Sequence, residues 1–362
     1  MILLVILILL FSNNSVAGDR LDQLLSHHSH HCGESLHRPT KSSIDAWIFD
    51  ENHATNLESK FDFVLNNLDS LNDCVGEDND GKVVGRIVGG SDTKRFEFPW
   101  QVSLRKFSSK QQRWYHACGG VIIDSEWILT VAHCAMKTQD PEQYRIRIGE
   151  HDYSVDEGTE LDLNVSKIII HKDFNLQTID SDICLMKVSS KIDFSTSSKI
   201  RPICLRNDFE RNNRALKTSP NDKLICISTG WGQMMHHGKF PRLMQKVCVD
   251  LIDQDQCREV YKTVINVTDR MICSGRNGKG TCQGDSGGPL QCMSKMIASS
   301  TSSSSWNNHL AMEQNRWSLY GLTSYGIGCA YNQFPSVAAN ISALRDWIAD
   351  HLIASKRNDG LL

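Results

Sequence analysis

From Ile87 onward the chain is written in short β-rich runs broken by turns, and this pattern constrains its fold more than any other feature. Arg145-Ile-Arg-Ile148, Lys167-Ile-Ile-Ile170 and Ile183-Cys-Leu-Met-Lys-Val188 are such runs, with little helical periodicity between them. Many short strands over about 270 residues predict an all-β barrel or sandwich. One helix is expected at the end. It has Ser342 as N-cap, then residues 343–354 with Leu344, Trp347, Ile348 and Leu352 on one side. Residues 293–315 include the serine tract Ser299–Ser305, which cannot build core and reads as a surface loop before a strand over Trp317–Ser324.

The chain has 362 residues and thirteen cysteines, and it opens with an apolar run over Met1–Phe11. A bilayer span needs about 20 residues, so the run suits a signal peptide, with Ser15-Val-Ala-Gly18 supplying small residues for cleavage. No Lys or Arg precedes it, and a signal anchor is the alternative. The expected products are a signal peptide over 1–18, removed, and a secreted, extracellular protein with no membrane contact thereafter. In that oxidising compartment cysteines are read first as disulfides.

Residues 19–86 carry 13 Asp/Glu against 6 Lys/Arg, a net charge of −7, while the chain as a whole stands at −3. The acidic front segment therefore precedes a mildly basic body. Nothing in that balance points to nucleic acid or to an acidic membrane. Leu57, Phe61, Val64, Leu65, Leu68 and Leu71 predict a helix near 57–71. The histidines of Ser26-His-His-Ser-His-His31 lack a ligand set at defined spacing and read as solvated linker rather than metal site.

A serine hydroxyl is a weak nucleophile unless a base takes its proton and a carboxylate orients that base. Three contexts supply these parts in the order His, Asp, Ser. Thr130-Val-Ala-His-Cys134 follows the apolar run Trp127-Ile-Leu129. Asp182 opens Asp182-Ile-Cys-Leu-Met186. Gly284-Asp-Ser-Gly-Gly-Pro289 surrounds Ser286 with glycines, which permit a tight turn with outward backbone N–H groups.

With Arg86-Ile-Val-Gly-Gly90 and Pro99-Trp-Gln-Val-Ser103, these segments resemble the trypsin-like (chymotrypsin-fold) serine proteases over roughly 87–354. The resemblance implies two six-stranded antiparallel β-barrels with the active site between them. It implies Ser286 as nucleophile, His133 as general base and acid, Asp182 as the group fixing its tautomer, and the Gly284 and Ser286 amides as oxyanion hole. It also implies a zymogen. Cleavage after Arg86, by a protease that itself cuts after Arg, frees the Ile87 α-amino group to pair with Asp285 and order the oxyanion loop. The domains expected are then a pro-segment over 19–86, kept as a light chain, and a protease domain over 87–362. Protein or peptide substrates and protein protease inhibitors are the expected partners. A catalytically silent pseudoprotease acting as a binding or cofactor protein is the competing class, and the complete triad argues against it.

In the same family, enzymes that cut after Arg or Lys carry an aspartate at the pocket floor, six residues before the nucleophile. Here that position is Gly280, followed by Thr281. A neutral floor leaves a buried guanidinium unpaired. Ser336 is expected to narrow the pocket, Ala338 to widen it, and Gly326 to keep its entrance open. Ser324 is expected to support the triad aspartate, with Tyr325 as the aromatic wall. A small or medium apolar side chain is the expected preference, with Arg/Lys specificity as the alternative.

Family pairing implies Cys118–Cys134, Cys226–Cys292, Cys257–Cys273, Cys282–Cys329 and a pro-segment tether Cys74–Cys204. Cys32, Cys184 and Cys248 are left unassigned, Cys184 as a buried inert thiol. The loop Glu150–Glu160 resembles the calcium loop of pancreatic-type trypsins. It has Glu150, Glu157 and Glu160 as side-chain ligands and Asp152 and Val155 giving carbonyls. Such calcium is structural, and catalysis needs no cofactor. Asn164, Asn266 and Asn340 open sequons expected to carry glycans.

Overall fold

A computed structural model describes Cys32 and residues 90–195, 199–206, 222–276, 278–296, 317–331 and 333–358. Arg86, Ile87, Cys74, the 26–31 histidines and the helix expected near 57–71 lie outside the described residues.

Among the described residues there are fourteen strands, and their pairing closes two barrels. The first consists of β2 (Gln101–Ser108), β3 (Arg113–Ile122), β4 (Trp127–Thr130), β5 (Tyr144–Ile148), β6 (Leu161–Ile170) and β7 (Cys184–Val188). They run in the closed order β2-β3-β4-β7-β6-β5. The second is formed by β9 (Asp222–Gly230), β10 (Gln245–Ile252), β11 (Met271–Gly275), β12 (Pro289–Met296), β13 (Ser318–Tyr325) and β14 (Ser336–Asn340). The β9–β10 pairing closes it. Every pairing within the barrels is antiparallel, so the open choice between barrel and sandwich resolves to two barrels. Two short strands are added at the margins. β1 (Ser91–Asp92) pairs with β10, and β8 (Cys204–Leu205) pairs in parallel with β13.

Alternation builds these barrels from the sequence. In β5, Tyr144, Ile146 and Ile148 are fully buried while Arg145 and Arg147 face out. A strand that buries one face reads this way because successive side chains point to opposite sides. One apolar cluster runs from Trp100, Leu104 and Ile122 through Met186 to Ile227, Trp231, Leu322 and Ile348, so the core is continuous from barrel to barrel.

Among the described residues three α-helices accompany the strands. α1 (Ala132–Ala135) carries His133. α2 (Gln254–Tyr261) was not expected from periodicity, because only Cys257 and Tyr261 are buried along it. Its start is set by Asp253, whose side chain accepts from the Asp255 and Gln256 amides. α3 (Ile341–Asn358) is the C-terminal helix. It begins before Ser342, which is therefore not its N-cap, and it buries Leu344, Ile348 and Leu352 as expected. The Trp317–Ser324 strand is observed as Ser318–Tyr325. Of the loop expected over 293–315, the first residues continue β12 to Met296, and 297–316 lie outside the described residues.

Four of the five implied disulfides are present: Cys118–Cys134, Cys226–Cys292, Cys257–Cys273 and Cys282–Cys329. The fifth is corrected. Cys204 bonds to Cys32, not to Cys74, with a Cα–Cα separation of 4.9 Å that suits a disulfide. Sequence spacing cannot decide between two cysteines of one segment. Cys184 is a free, buried thiol, and burial pushes its pKa far above the usual thiol value. Cys248 is also disulfide-bonded.

Candidate active site

The residues expected to form a triad are delivered by three separate elements to the junction of the barrels. His133 sits on the single turn of α1, held by the Cys118–Cys134 bridge. Its Nδ1 lies 2.7 Å from Oδ2 of Asp182, and its backbone N–H donates to Oδ1 of the same carboxylate at 2.9 Å. Asp182 is 1% exposed, and it also accepts from Ser324 Oγ at 2.5 Å. Three donors therefore fix one buried carboxylate, the arrangement a buried charge requires. With Nδ1–H donating to Asp182, the neutral imidazole keeps a lone pair on Nε2 and can take a proton there.

Ser286 approaches from the second barrel. Its carbonyl accepts from the Gly119 amide of β3 at 2.7 Å and lies 4.0 Å from Sγ of Cys134, the residue after His133. Glycine makes this approach possible. A Cβ on Gly287, at φ +81°, would stand 2.3 Å from Thr130 Oγ1 and 2.5 Å from the Gly119 carbonyl. Ser286 Oγ has no hydrogen-bond partner among the described residues, so the serine–imidazole bond is open, as in many unliganded sites.

The turn around Ser286 sorts its amides. Those of Asp285, Gly287 and Gly288 donate to the carbonyls of Cys282, Thr323 and Asp285, whereas those of Gly284 and Ser286 have no acceptor among the described residues. Two free donors on one turn are the arrangement that can receive an oxyanion. Gly284 holds φ +102°, a conformation closed to most side chains. The Asp285 carboxylate lies against Gly230 and Gly232. It is fully buried and accepts from the Gly232 amide at 2.7 Å and the Cys282 amide at 2.9 Å. Burial raises its pKa to about 6, and those two bonds only partly oppose the shift.

Two supporting groups escaped sequence reading. Half-buried His116 on β3 spans Ser103 Oγ at 2.8 Å and the Gly284 carbonyl at 3.0 Å. A carbonyl only accepts, so Nε2 carries the proton and Ser103 donates to Nδ1. Burial lowers the His116 pKa to about 4, which keeps this tautomer neutral. Asp180 is flanked by Ile179 and Ser181 at φ 57° and 55°, left-handed values that a β-branched residue rarely adopts. Its carboxylate accepts from Arg270 and from Thr268 Oγ1, tying the turn before Asp182 to the second barrel. Neither residue sits in a local motif, so only the folded chain shows what it meets.

Of the residues expected to line the pocket, Gly280, Thr281 and Ser336 meet. Gly280 is buried, and a Cβ there would lie 3.4 Å from Ser336 Oγ. Thr281 Oγ1 donates to Ser336 Oγ at 2.9 Å, linking two walls, and Cys282–Cys329 joins the flanking segments. Ser324 and Tyr325 end β13, with Gly326 just beyond. Ala338 packs with Ile272, Leu290 and Tyr320 in the second-barrel core.

The 149–160 loop joins β5 to β6. Carboxylate oxygens of Glu150, Glu157 and Glu160 lie within 4.8 Å of one another. Glu150 Oε1 is buried without a partner, while Oε2 faces Arg147 at 3.4 Å. Burial pushes the Glu150 pKa up despite that arginine. The Asp152 carbonyl accepts from the Val155 amide, which curves the loop around the carboxylates. Of the sequons, Asn164 and Asn266 are exposed. The Asn340 Nδ2 donates to the Asp269 carbonyl, and Ile341 and Ser342 are buried, so this is the poorest acceptor of the three.

Two closed barrels with a histidine–aspartate pair, a serine turn and free amides at their junction define the double-barrel serine protease class. The chain matches the family Trypsin over residues 87–348. It is 33% identical over 285 residues to serine protease 28 of Mus musculus, covering 75% of this chain and 90% of that one. It is 31% identical over 287 residues to ovochymase-2 of Mus musculus, covering 75% of this chain and 42% of that one. The protein belongs to the trypsin family of serine proteases.

Proposed function

We propose that this protein is a secreted serine endopeptidase, made as an inactive precursor and activated by cleavage after Arg86. The observation carrying this reading is the buried Asp182 carboxylate, fixed by the His133 ring, the His133 amide and Ser324 beside a serine turn with two free amides. In the reaction Ser286 Oγ attacks the peptide carbonyl and His133 Nε2 takes its proton. Asp182 holds the imidazolium that forms, and the Gly284 and Ser286 amides receive the oxyanion. His133 then donates to the leaving amine, and water repeats the steps on the acyl enzyme.

Asp285 supports the activation step. A buried carboxylate with no cation near it among the described residues is costly, and a new ammonium at Ile87 supplies one. The Cys32–Cys204 bridge spans Arg86, so the pro-segment stays attached after the cut. With five pairs, free Cys184 and bonded Cys248 accounted for, Cys74 is the one cysteine left as an intrachain partner for Cys248.

Gly280 and the Thr281–Ser336 bond favour a shallow neutral pocket and small or medium apolar side chains before the cut bond. The loop fits structural calcium, because Glu150 Oε1 is a buried oxygen lacking a donor and two more carboxylates stand beside it. Treatment with an Arg-specific protease, N-terminal sequencing and peptide-library profiling form the test. A new Ile87 terminus with apolar preference is the expected result. Dominant Arg or Lys before the cut overturns the pocket assignment, and a correctly cut but inert product overturns the enzyme.

A further inference from the structure

The outer face of the first barrel carries cations that the triad chemistry does not use. Arg105 on β2 and Arg145 on β5 are direct cross-strand partners, and like charges in that position are destabilising. Among the described residues neither has a carboxylate within ion-pair distance, although Asp162 attracts both from farther away and Glu150 attracts Arg105; Arg147, next along the face, engages Asp162 directly through Nε at 2.7 Å. Both unpaired guanidinium groups are held in place. Arg145 lies over the Trp114 ring at 4.6 Å, and Arg105 donates to the Trp114 carbonyl at 3.2 Å. Phe107 packs on Trp114 at 5.3 Å. The hairpin between β2 and β3 adds Lys110 and Arg113, both exposed and likewise without a carboxylate among the described residues.

Strand β3 leads from this face into the catalytic centre. Two residues beyond Trp114, His116 holds the Gly284 carbonyl, and Gly119 bonds the Ser286 carbonyl. With the proposed pocket on the second barrel, substrate residues after the cut bond would cross Gly284 and His116 toward β3. We propose that Arg105, Arg145 and the Lys110–Arg113 hairpin form a docking surface for an acidic stretch of polypeptide substrate on the leaving-group side. This deepens the endopeptidase reading and rests on it. Strand rise of about 3.3 Å per residue puts the acidic residues roughly three to five positions after the cut bond. The aromatic pair Trp114–Phe107 favours a peptide, whose apolar side chains can lie on it, over a sulfated polysaccharide.

The test compares two peptides alike up to the cut bond, one with three Glu at those positions and the other with three Gln. A chromogenic amide without leaving-side residues serves as control. The activated protein is expected to cleave the Glu peptide about five- to tenfold better, mainly through KM. The advantage should shrink between about 0.05 and about 0.5 M NaCl. Arg145→Gln, and separately Lys110→Gln with Arg113→Gln, should erase most of it and leave the chromogenic amide unchanged. Equal cleavage of the two peptides overturns the proposal, as does an advantage that survives both variants. Tight heparin binding with no preference between the peptides also overturns it. Anisotropy of the labelled Glu peptide on the Ser286→Ala protein reads the surface without turnover. Loss of chromogenic activity with retained Glu-peptide binding therefore faults the enzyme reading alone.

Discussion

Asp182 accepts three hydrogen bonds, and one of them, from Ser324 Oγ, belongs to neither of the other triad residues. A bond to a charged group contributes about 1.5–3 kcal/mol, so Ser324→Ala should lower kcat by roughly tenfold or more. KM should stay nearly constant, because Asp182 acts through His133 and does not touch substrate. Asp285 yields a pH prediction. Its folded pKa of about 6 lies above the ordinary value of 3.8, so its contribution to stability is present below about pH 4 and is lost as pH rises through about 6. Melting curves of an uncleavable Arg86→Gln precursor should show that loss, on the order of 3 kcal/mol, and Asp285→Asn should flatten it. Activation reverses the sign, because the Ile87 ammonium then favours the ionised form. Ser286, His133 and Asp182 were legible because each stands in a local motif. His116 and Asp180 were not, since their partners Gly284 and Arg270 are distant in sequence and meet them only across the barrel junction.

Single loops and strands decide two further properties. The Glu150–Glu160 loop gathers three carboxylates and leaves Glu150 Oε1 buried without a partner, so if it holds calcium as proposed, added calcium should raise the melting temperature by several degrees. Glu150→Gln should abolish that shift and leave kcat near its original value, while a melting temperature indifferent to chelator contradicts the site. In β14, Ser336→Gly removes the hydroxyl bonded to Thr281 and deepens the pocket. Library profiling should then move toward larger apolar or aromatic side chains by about tenfold in kcat/KM. At this scale strands such as Tyr144–Ile148 announced themselves by alternation. α2 did not, because eight residues with two buried side chains carry too weak a periodic signal. Barrel closure was equally hidden. It depends on pairings such as β2–β5 and β9–β10, which no single run of residues encodes.

Across the whole molecule, the corrected Cys32–Cys204 bridge decides what the proposed cleavage at Arg86 would leave. Both cysteines were visible, yet connectivity was not, since proximity of Cys32 to β8 arises only when the chain folds. After cleavage at Arg86 the pro-segment should remain with the protease domain on a non-reducing gel and separate on reduction. Cys32→Ser with Cys74→Ser should release it without reductant, whereas release from the unsubstituted protein contradicts the tether. The central claim is that folding makes Ser286 a nucleophile through His133 and Asp182, and an active-site-directed fluorophosphonate tests it most directly. The activated protein should acquire one covalent adduct, mapped to Ser286 and abolished by His133→Ala. Absence of labelling after verified cleavage at Arg86, or labelling that survives His133→Ala, would contradict it.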